Sequence, residues 1–217
     1  MESDRVRLVL VRHGEVAANR NYRYLGRRDD ALTGVGRRQA EALSRVLSEL
    51  TVDAVLSSPL RRASETAEII AGPAGVPVDI EPRLLELDFG DWEGRTRAEV
   101  VGSSDEDRRR VEAWEADPTR AIPGGESLAS LQSRVVELAN DLGRRRPGST
   151  LVLVSHMGAI KTLLLAALNL PLTSAARIFL DPATISVVDW GSAPVVRLVN
   201  SHGHLGFTRA RWLEEDR

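Results

Sequence analysis

The sequence predicts an α/β protein: a three-layer α/β/α sandwich on a mostly parallel central sheet, with a small inserted cap. Three observations carry that expectation. Apolar runs alternate with amphipathic helical patterns through the first 80 residues, and a strand–helix–strand order calls for parallel strands joined by right-handed crossovers. The runs are continuous instead of alternating, as in Leu8-Val9-Leu10-Val11, which marks strands covered on both faces. Residues 83 to 125 then mix Gly, Asp, Arg and two tryptophans without a long clean period, which suggests a cap of short helices.

Each element follows in order. The first strand runs through Leu8 to Val11 and stops at Arg12, His13, Gly14 and Glu15, and a polar loop covers Tyr22 to Asp30. Thr33 caps a helix whose apolar face is Val35, Ala42, Leu43, Val46, Leu47 and Leu50. "VDAVLSS" (52–58) is the second strand, and Pro59 opens a helix to about Ala71 with Ala63, Ala67 and Ile70 inward. "VPVDI" is the third strand. After the cap, where "SSDEDRRR" (103–110) reads as a solvated face, regularity returns with a helix from Ser127 to about Arg144. The strand "TLVLVS" (150–155), a helix from Gly158 to Asn169, and the strands "TISVVDW" and "PVVRLV" complete the sheet. No internal repeat or linker interrupts the chain, so a single domain over 1–217 is expected.

Composition narrows the chemistry. With 217 residues and 42% hydrophobic content, one domain with a substantial core is expected. No apolar run has transmembrane length and the start "MESDRVRLVLVRHGE" does not read as a signal peptide, so a cytoplasmic protein without membrane contact is expected. The absence of cysteine excludes disulfides, thiolate zinc sites and cysteine nucleophiles. A net charge of −2 supplies no bulk attraction to nucleic acid, and 4% aromatic content offers little for base stacking. Lys161 is the single lysine among 29 basic residues, a skew read here as genome composition.

Three strand ends carry polar groups: Arg12 and His13 after the first, "SSPLRRASETA" with Arg61 and Arg62 after the second, and "SHMG" with His156 after the fourth. In a parallel sheet these ends are neighbours at the edge where ligands bind, and helix N-terminal amides join them. One Arg-His pair after a strand is more often a solvated turn; three such ends converging make an anion site suited to a phosphoryl group. In "LLELDFGDWEG" (84–94), Glu86 and Asp88 sit among apolar residues. A carboxyl group there, near an anion, tends to hold its proton as a general acid must. The alternative for Glu86 is a structural ion pair with an arginine.

These residues resemble the histidine phosphatase superfamily, the phosphoglycerate mutase-like proteins, over nearly the whole chain. The resemblance places His13, in Arg12-His13-Gly14, as the phosphorylated nucleophile, Arg62 with Ser58 beside it as the second arginine motif, Glu86 four residues before Gly90 as proton donor, and His156 as the second histidine. "GRRDDALTGVGRRQA", which begins at Gly26, and "PGGES" resemble further family segments. The implied reaction is phosphomonoester hydrolysis through phosphohistidine, with Arg12, Arg62 and His156 clamping the phosphoryl oxygens and no metal or cofactor. Implied substrate-binding residues are Arg12, Asn19, Gly26, Ser58, Arg62, His156 and Met157; Asn19 reads equally well as a loop-capping amide. The sequence departs from the pattern at Val16, where many relatives carry threonine, and at Met157, where glycine is commoner, and both are expected at the pocket wall.

The segment after Glu86 lacks the longer basic insertion of true mutases. It resembles the compact phosphatases instead, including α-ribazole phosphatases and broad-specificity acid phosphatases. The expected partner is a small phosphorylated metabolite, and a homodimer is possible. Mutase-type transfer is the runner-up, and a non-catalytic phospho-ligand module would require a pocket residue to be lost. Tyr22, Arg23, Tyr24, Trp92, Trp114 and Arg120 are expected at the mouth. His202 and His204 lack a carboxylate at ligand spacing and read as an ordinary surface segment.

Overall fold

The computed structural model describes residues 5–206. Its six strands are β1 (Val6–Arg12), β2 (Ala54–Ser57), β3 (Val78–Ile80), β4 (Thr150–Ser155), β5 (Ile185–Trp190) and β6 (Val195–Ser201). They form one mixed sheet in the order β3-β2-β4-β1-β5-β6. The first four in that order are mutually parallel, whereas β5 runs antiparallel to β1, and β6 to β5. The segment between β5 and β6 spans only residues 191–194, too short for the crossover a parallel pair needs, so this edge closes as a hairpin.

Helices cover both faces. The helices are α1 (Ala17–Arg20), α2 (Gly34–Leu47), α3 (Arg61–Ala74), α4 (Arg97–Val101), α5 (Asp105–Ala116), α6 (Leu128–Arg145) and α7 (Met157–Ala167). Residues of β1 alternate between the two layers. Leu8 and Leu10 pack with the α6 and α7 residues Leu131, Leu138 and Leu164. Val9 and Val11 pack with Leu43 and Leu47 of α2 and Ala63 and Ile70 of α3. Both faces of each central strand are therefore dry, which is why these runs carry no polar alternation.

Thr33 caps α2 by accepting the Gly36 amide at 3.0 Å, and Ser127 caps α6 by accepting the Ser130 amide at 3.1 Å. Leu50, expected on the apolar face of α2, is exposed: α2 ends at Leu47, and the chain turns away before Leu50 can reach the sheet.

The cap is real and continuous with the α6–α7 layer. Trp92, Val100, Val111 and Ile122 are buried in the same cluster as Leu131 and Leu138. Its segment at 94–96 is stitched to the loop after α1, where the Tyr24 amide donates to the Arg95 carbonyl at 2.8 Å and the Gly94 amide to the Tyr24 carbonyl at 2.7 Å. No helix among the described residues is long and apolar enough to cross a membrane.

Leu153 sits in the middle of β4, fully enclosed between the sheet and the α6–α7 layer. Leu153→Ala should cost about 2–5 kcal/mol through lost burial and a residual cavity. Urea unfolding should show the midpoint falling at unchanged m-value; an unchanged midpoint would contradict this packing.

Candidate active site

Because β2, β4 and β1 lie side by side and parallel, their carboxyl ends open onto one place. The registers run Leu56↔Leu153 and Arg12↔Ser155, so Ser58, His156 and His13 all emerge at the same level of the sheet. The His13 amide donates to the Ser155 carbonyl at 3.0 Å, and the Ser58 amide to the Val154 carbonyl at 3.0 Å. His156 itself is the N-cap residue of α7.

Arg62 joins these ends. Its Nε donates to His13 Nε2 and to His156 Nδ1, each at 3.2 Å. Its Nη1 and Nη2 donate to the carbonyls of Arg28 at 2.5 Å and Gly26 at 2.7 Å. Arg62 is only 1% exposed, and burial draws its pKa down to about 10, opposed by Glu86 and the acids of neighbouring loops; it stays cationic at neutral pH.

The partners of the two imidazoles assign their tautomers. His13 Nδ1 lies 2.7 Å from the Gly14 carbonyl, which only accepts, so Nδ1 carries the proton and the Nε2 lone pair receives Arg62. His156 is reversed: Nδ1 accepts from Arg62, and Nε2–H donates to Ser58 Oγ at 2.7 Å. Burial, then Arg62 and Arg12, holds the His13 pKa well below the ordinary histidine range. Burial, then Arg62, His13 and Arg12, does the same to His156. Both rings are neutral at physiological pH.

Arg12 Nη1 donates to the Leu180 carbonyl in the loop before β5. Glu86 lies across the site, its Oε2 receiving the Gly158 amide at 3.1 Å and its Oε1 the Leu87 amide at 2.8 Å. A Cβ at residue 158 would stand 2.3 Å from Glu86 Oε1, so the glycine is what lets α7 approach the carboxylate. The expected alternative of an arginine ion pair for Glu86 does not occur among the described residues; instead, the Arg134 guanidinium holds its backbone. Arg134 donates to the carbonyls of Arg83, Leu85 and Glu86 and pairs with both carboxylate oxygens of Glu126. Asp88, the rival carboxylate, accepts the Gly90 amide at 2.9 Å as a turn cap.

Above these groups opens a cavity of about 640 Å³. Arg12, His13, Arg62 and Glu86 lie at its polar end, with Asn19, Gly26 and Met157 on the wall, while Leu25, Phe89, Trp114, Leu128, Leu172 and Phe179 make the rest largely apolar. Asn19 combines both readings, since it faces the cavity and its Oδ1 accepts the Val16 amide at 3.0 Å. Gly26, with φ +51°, contributes the carbonyl that anchors Arg62. Ser58 lies behind His156, away from the cavity wall.

Several expectations about the surroundings are corrected. Tyr22, Arg23, Tyr24 and Trp114 do line the cavity, but Trp92 is buried beneath, its ring 5.6 Å from that of Trp114, and Arg120 is exposed elsewhere. Val16 is not at the wall: it is fully buried with Leu25 and Leu32 in a small cluster that supports the loop from below. The segment at His202 and His204 is not an ordinary surface stretch. His202 is buried with Nε2 2.9 Å from Asp181 Oδ2, and His204 Nε2 lies 2.7 Å from the Ala183 carbonyl. Both pack on the loop that holds Arg12, a contact no local pattern announces. Among the described residues no three His, Asp or Glu side chains cluster to hold a metal. Two site residues escaped the sequence reading: Arg134, a lone cation beside the buried stripe of α6, and Lys161, which lines the cavity.

The model of the histidine phosphatase superfamily (branch 1) matches residues 8–201. The chain belongs to that superfamily. A bifunctional protein of Mycobacterium tuberculosis is 38% identical over 202 residues, covering 92% of this chain and 55% of that protein. The chain thus spans about half the length of such mycobacterial relatives. Phosphoserine phosphatase 1 of Hydrogenobacter thermophilus is 36% identical over 203 residues, covering 93% of this chain and 95% of the relative. The solved structure of mycobacterial glucosyl-3-phosphoglycerate phosphatase in complex with VO3 superposes with a TM-score of 0.81 at 32% identity, covering 90% of this chain and 98% of that one. Membership accounts for the order Arg12-His13, Arg62, Glu86, His156 along the chain; the geometry above is this chain's own.

The tautomer assignment is testable. Nitrogen-15 NMR of the imidazoles at pH 6 should show neutral rings, protonated at Nδ1 in His13 and at Nε2 in His156. Both histidines take up protons on unfolding, so below about pH 6.5 the unfolded state is favoured increasingly as pH falls, and His13→Gln should flatten part of that slope. Midpoints near 6.5 for both rings in the folded protein would contradict the assignment.

Proposed function

We propose that this protein hydrolyses phosphomonoesters by way of a phosphohistidine at His13. The observation that carries this reading is the orientation of His13: with Nδ1–H tied to the Gly14 carbonyl, the only lone pair available to attack is on Nε2, at the polar end of the cavity beside Arg62. The ring need not lose a proton first, because burial and the two arginines keep it neutral.

In the first step His13 Nε2 bonds to phosphorus while the bond from phosphorus to the ester oxygen breaks. Arg62 Nε then turns its hydrogen bond from the imidazole to a phosphoryl oxygen. Arg12 and Arg62 receive the charge on the non-bridging oxygens, and such preorganised donors are typically worth about 3 kcal/mol each; His156, expected to share that role, has its one N–H on Ser58 Oγ and acts instead by holding Arg62 through Nδ1. Glu86 supplies a proton to the departing oxygen. In the second step water attacks phosphorus, its proton passes to the Glu86 carboxylate, the bond from phosphorus to Nε2 breaks, and inorganic phosphate leaves. Every charge in the sequence is met by this chain's own side chains. Relatives named for phosphoserine and for glucosyl-3-phosphoglycerate support a small phosphorylated metabolite as substrate.

His13→Ala should abolish turnover with thermal unfolding little changed, and acid quench of the wild type with a fast substrate should trap label on His13. Label on a serine or a carboxylate, or full activity in the variant, would overturn the mechanism.

A general acid contributes about 10²–10⁴ in rate, most where the leaving alcohol is poor. Glu86→Gln should therefore cripple alkyl phosphate hydrolysis and spare much of the activity on p-nitrophenyl phosphate, while Asp88→Asn should show no dependence on the leaving group. The reverse pattern would move the acid to Asp88.

A further inference from the structure

Among the cationic side chains on the cavity wall, the engagements differ. Arg62 is held by two imidazoles and two carbonyls, and Arg23 is paired with Glu99 and the Gly94 carbonyl. Glu115, an acid on the same wall, is neutralised by Arg97 at 2.6 Å. Lys161 stands apart. Its Nζ donates to the Ala175 carbonyl at 3.1 Å, and among the described residues no carboxylate approaches within 4.0 Å of it. An ammonium has three donors, so two N–H groups remain for the cavity.

The position of Lys161 is defined by α7. Gly158, whose amide holds Glu86, lies three residues before Lys161, and Met157 four residues before it, so all three share one helix face. Lys161 is thus one turn further along the wall from the carboxyl group that meets the ester oxygen. Around it the wall is apolar, with Met157, Leu172, Ala175, Ala176 and Phe179. Burial, with Arg12 adding to it and Glu86 opposing it, draws the ammonium down to about 8.

We propose that Lys161 forms a subsite for a carboxylate carried on the substrate's leaving group, close to the ester oxygen. This rests on the hydrolase reading above and names the class of ester within it. A half-buried cation on an apolar wall is costly without a counter-ion and gains most from one that arrives with the ligand. Two remaining donors match the two oxygens of a carboxylate. A second phosphoryl group asks for more donors than this wall supplies, and the first already has the arginines. The short span from Glu86 to Lys161 restricts the carboxylate to a position a few bonds from the ester oxygen. The rest of the cavity accepts an apolar substituent.

The test uses esters that differ in the carboxylate: 2-phospholactate against isopropyl phosphate, and phosphoserine against phosphoethanolamine. The wild type should favour the carboxylated member in kcat/KM by about tenfold to hundredfold, as expected for charge-assisted hydrogen bonds in a dry site. Lys161→Met should bring that ratio towards one, chiefly through KM, because the contact is made equally in ground and transition states. Lys161→Arg should restore part of the ratio, which separates lost charge from altered packing.

A ratio that survives in Lys161→Met overturns the proposal. So does an equal loss on both members of a pair, which would place Lys161 at the phosphoryl group or at Glu86. Calorimetric binding of the same pairs to His13→Ala, with and without Lys161→Met, gives the same ratio without turnover. If no ester, including p-nitrophenyl phosphate, is hydrolysed by the wild type, the hydrolase reading fails while this binding ratio still decides for or against the subsite.

Discussion

The guanidinium of Arg62 is the interaction on which the rest of the site depends. It is a buried cation whose hydrogen-bond partners are two neutral imidazoles and two carbonyls, with no carboxylate in direct contact among the described residues. Such a group is expensive to desolvate, and carbonyl dipoles recover only part of the cost. The fold holds it in place by fixing its backbone: Thr66 Oγ1 donates to the Arg62 carbonyl at 2.7 Å and accepts the Gly14 amide at 3.1 Å, locking α3 to the loop that follows β1. The position of His13 and the position of Arg62 are therefore one constraint. Under the proposed function, the charge left unmatched there is what a phosphoryl group would supply.

A second support runs through Arg134. It belongs to α6, yet its guanidinium gathers the carbonyls of Arg83, Leu85 and Glu86 and ties them to Glu126. Glu86 consequently sits on a short segment held from behind by Arg134 and from the front by the Gly158 amide. In the proposed role of proton donor Glu86 must stand within hydrogen-bond reach of the leaving oxygen, and this double support would hold it there. Cap and α/β layers meet at this segment, and the cap's buried tryptophan and Ile122 make their junction part of the main core.

The chemistry also divides spatially along α7. Its first residues face the polar end, where the Gly158 amide donates to Glu86, and its next turn carries Lys161 to the apolar part of the cavity. One helix thus serves both the proposed acid and the proposed substrate subsite, with a spacing set by the helical rise of about 5.4 Å per turn.

What the sequence by itself determined is the alternation of buried strands and helices, and the delivery of His13, Arg62 and His156 to strand ends. Those follow from local composition: continuous apolar runs mark strands dry on both faces, and the residues after them must lie at the edge. The family resemblance then singled out Glu86 over Asp88, and the two carboxylates do differ, one at the cavity and one capping a turn. Only the tertiary structure decided which groups touch. The antiparallel β5–β6 edge, the burial of Val16 and Trp92, the pairing of His202 with Asp181 and the use of the carbonyls of Gly26, Arg28 and Leu180 as arginine acceptors all depend on segments brought together from far along the chain. Backbone acceptors carry no side-chain signature, so no pattern announces them. Lys161 shows the same limit: as a letter in an apolar helix it marks only a rare residue, and its meaning comes from the cavity that α7 turns it toward.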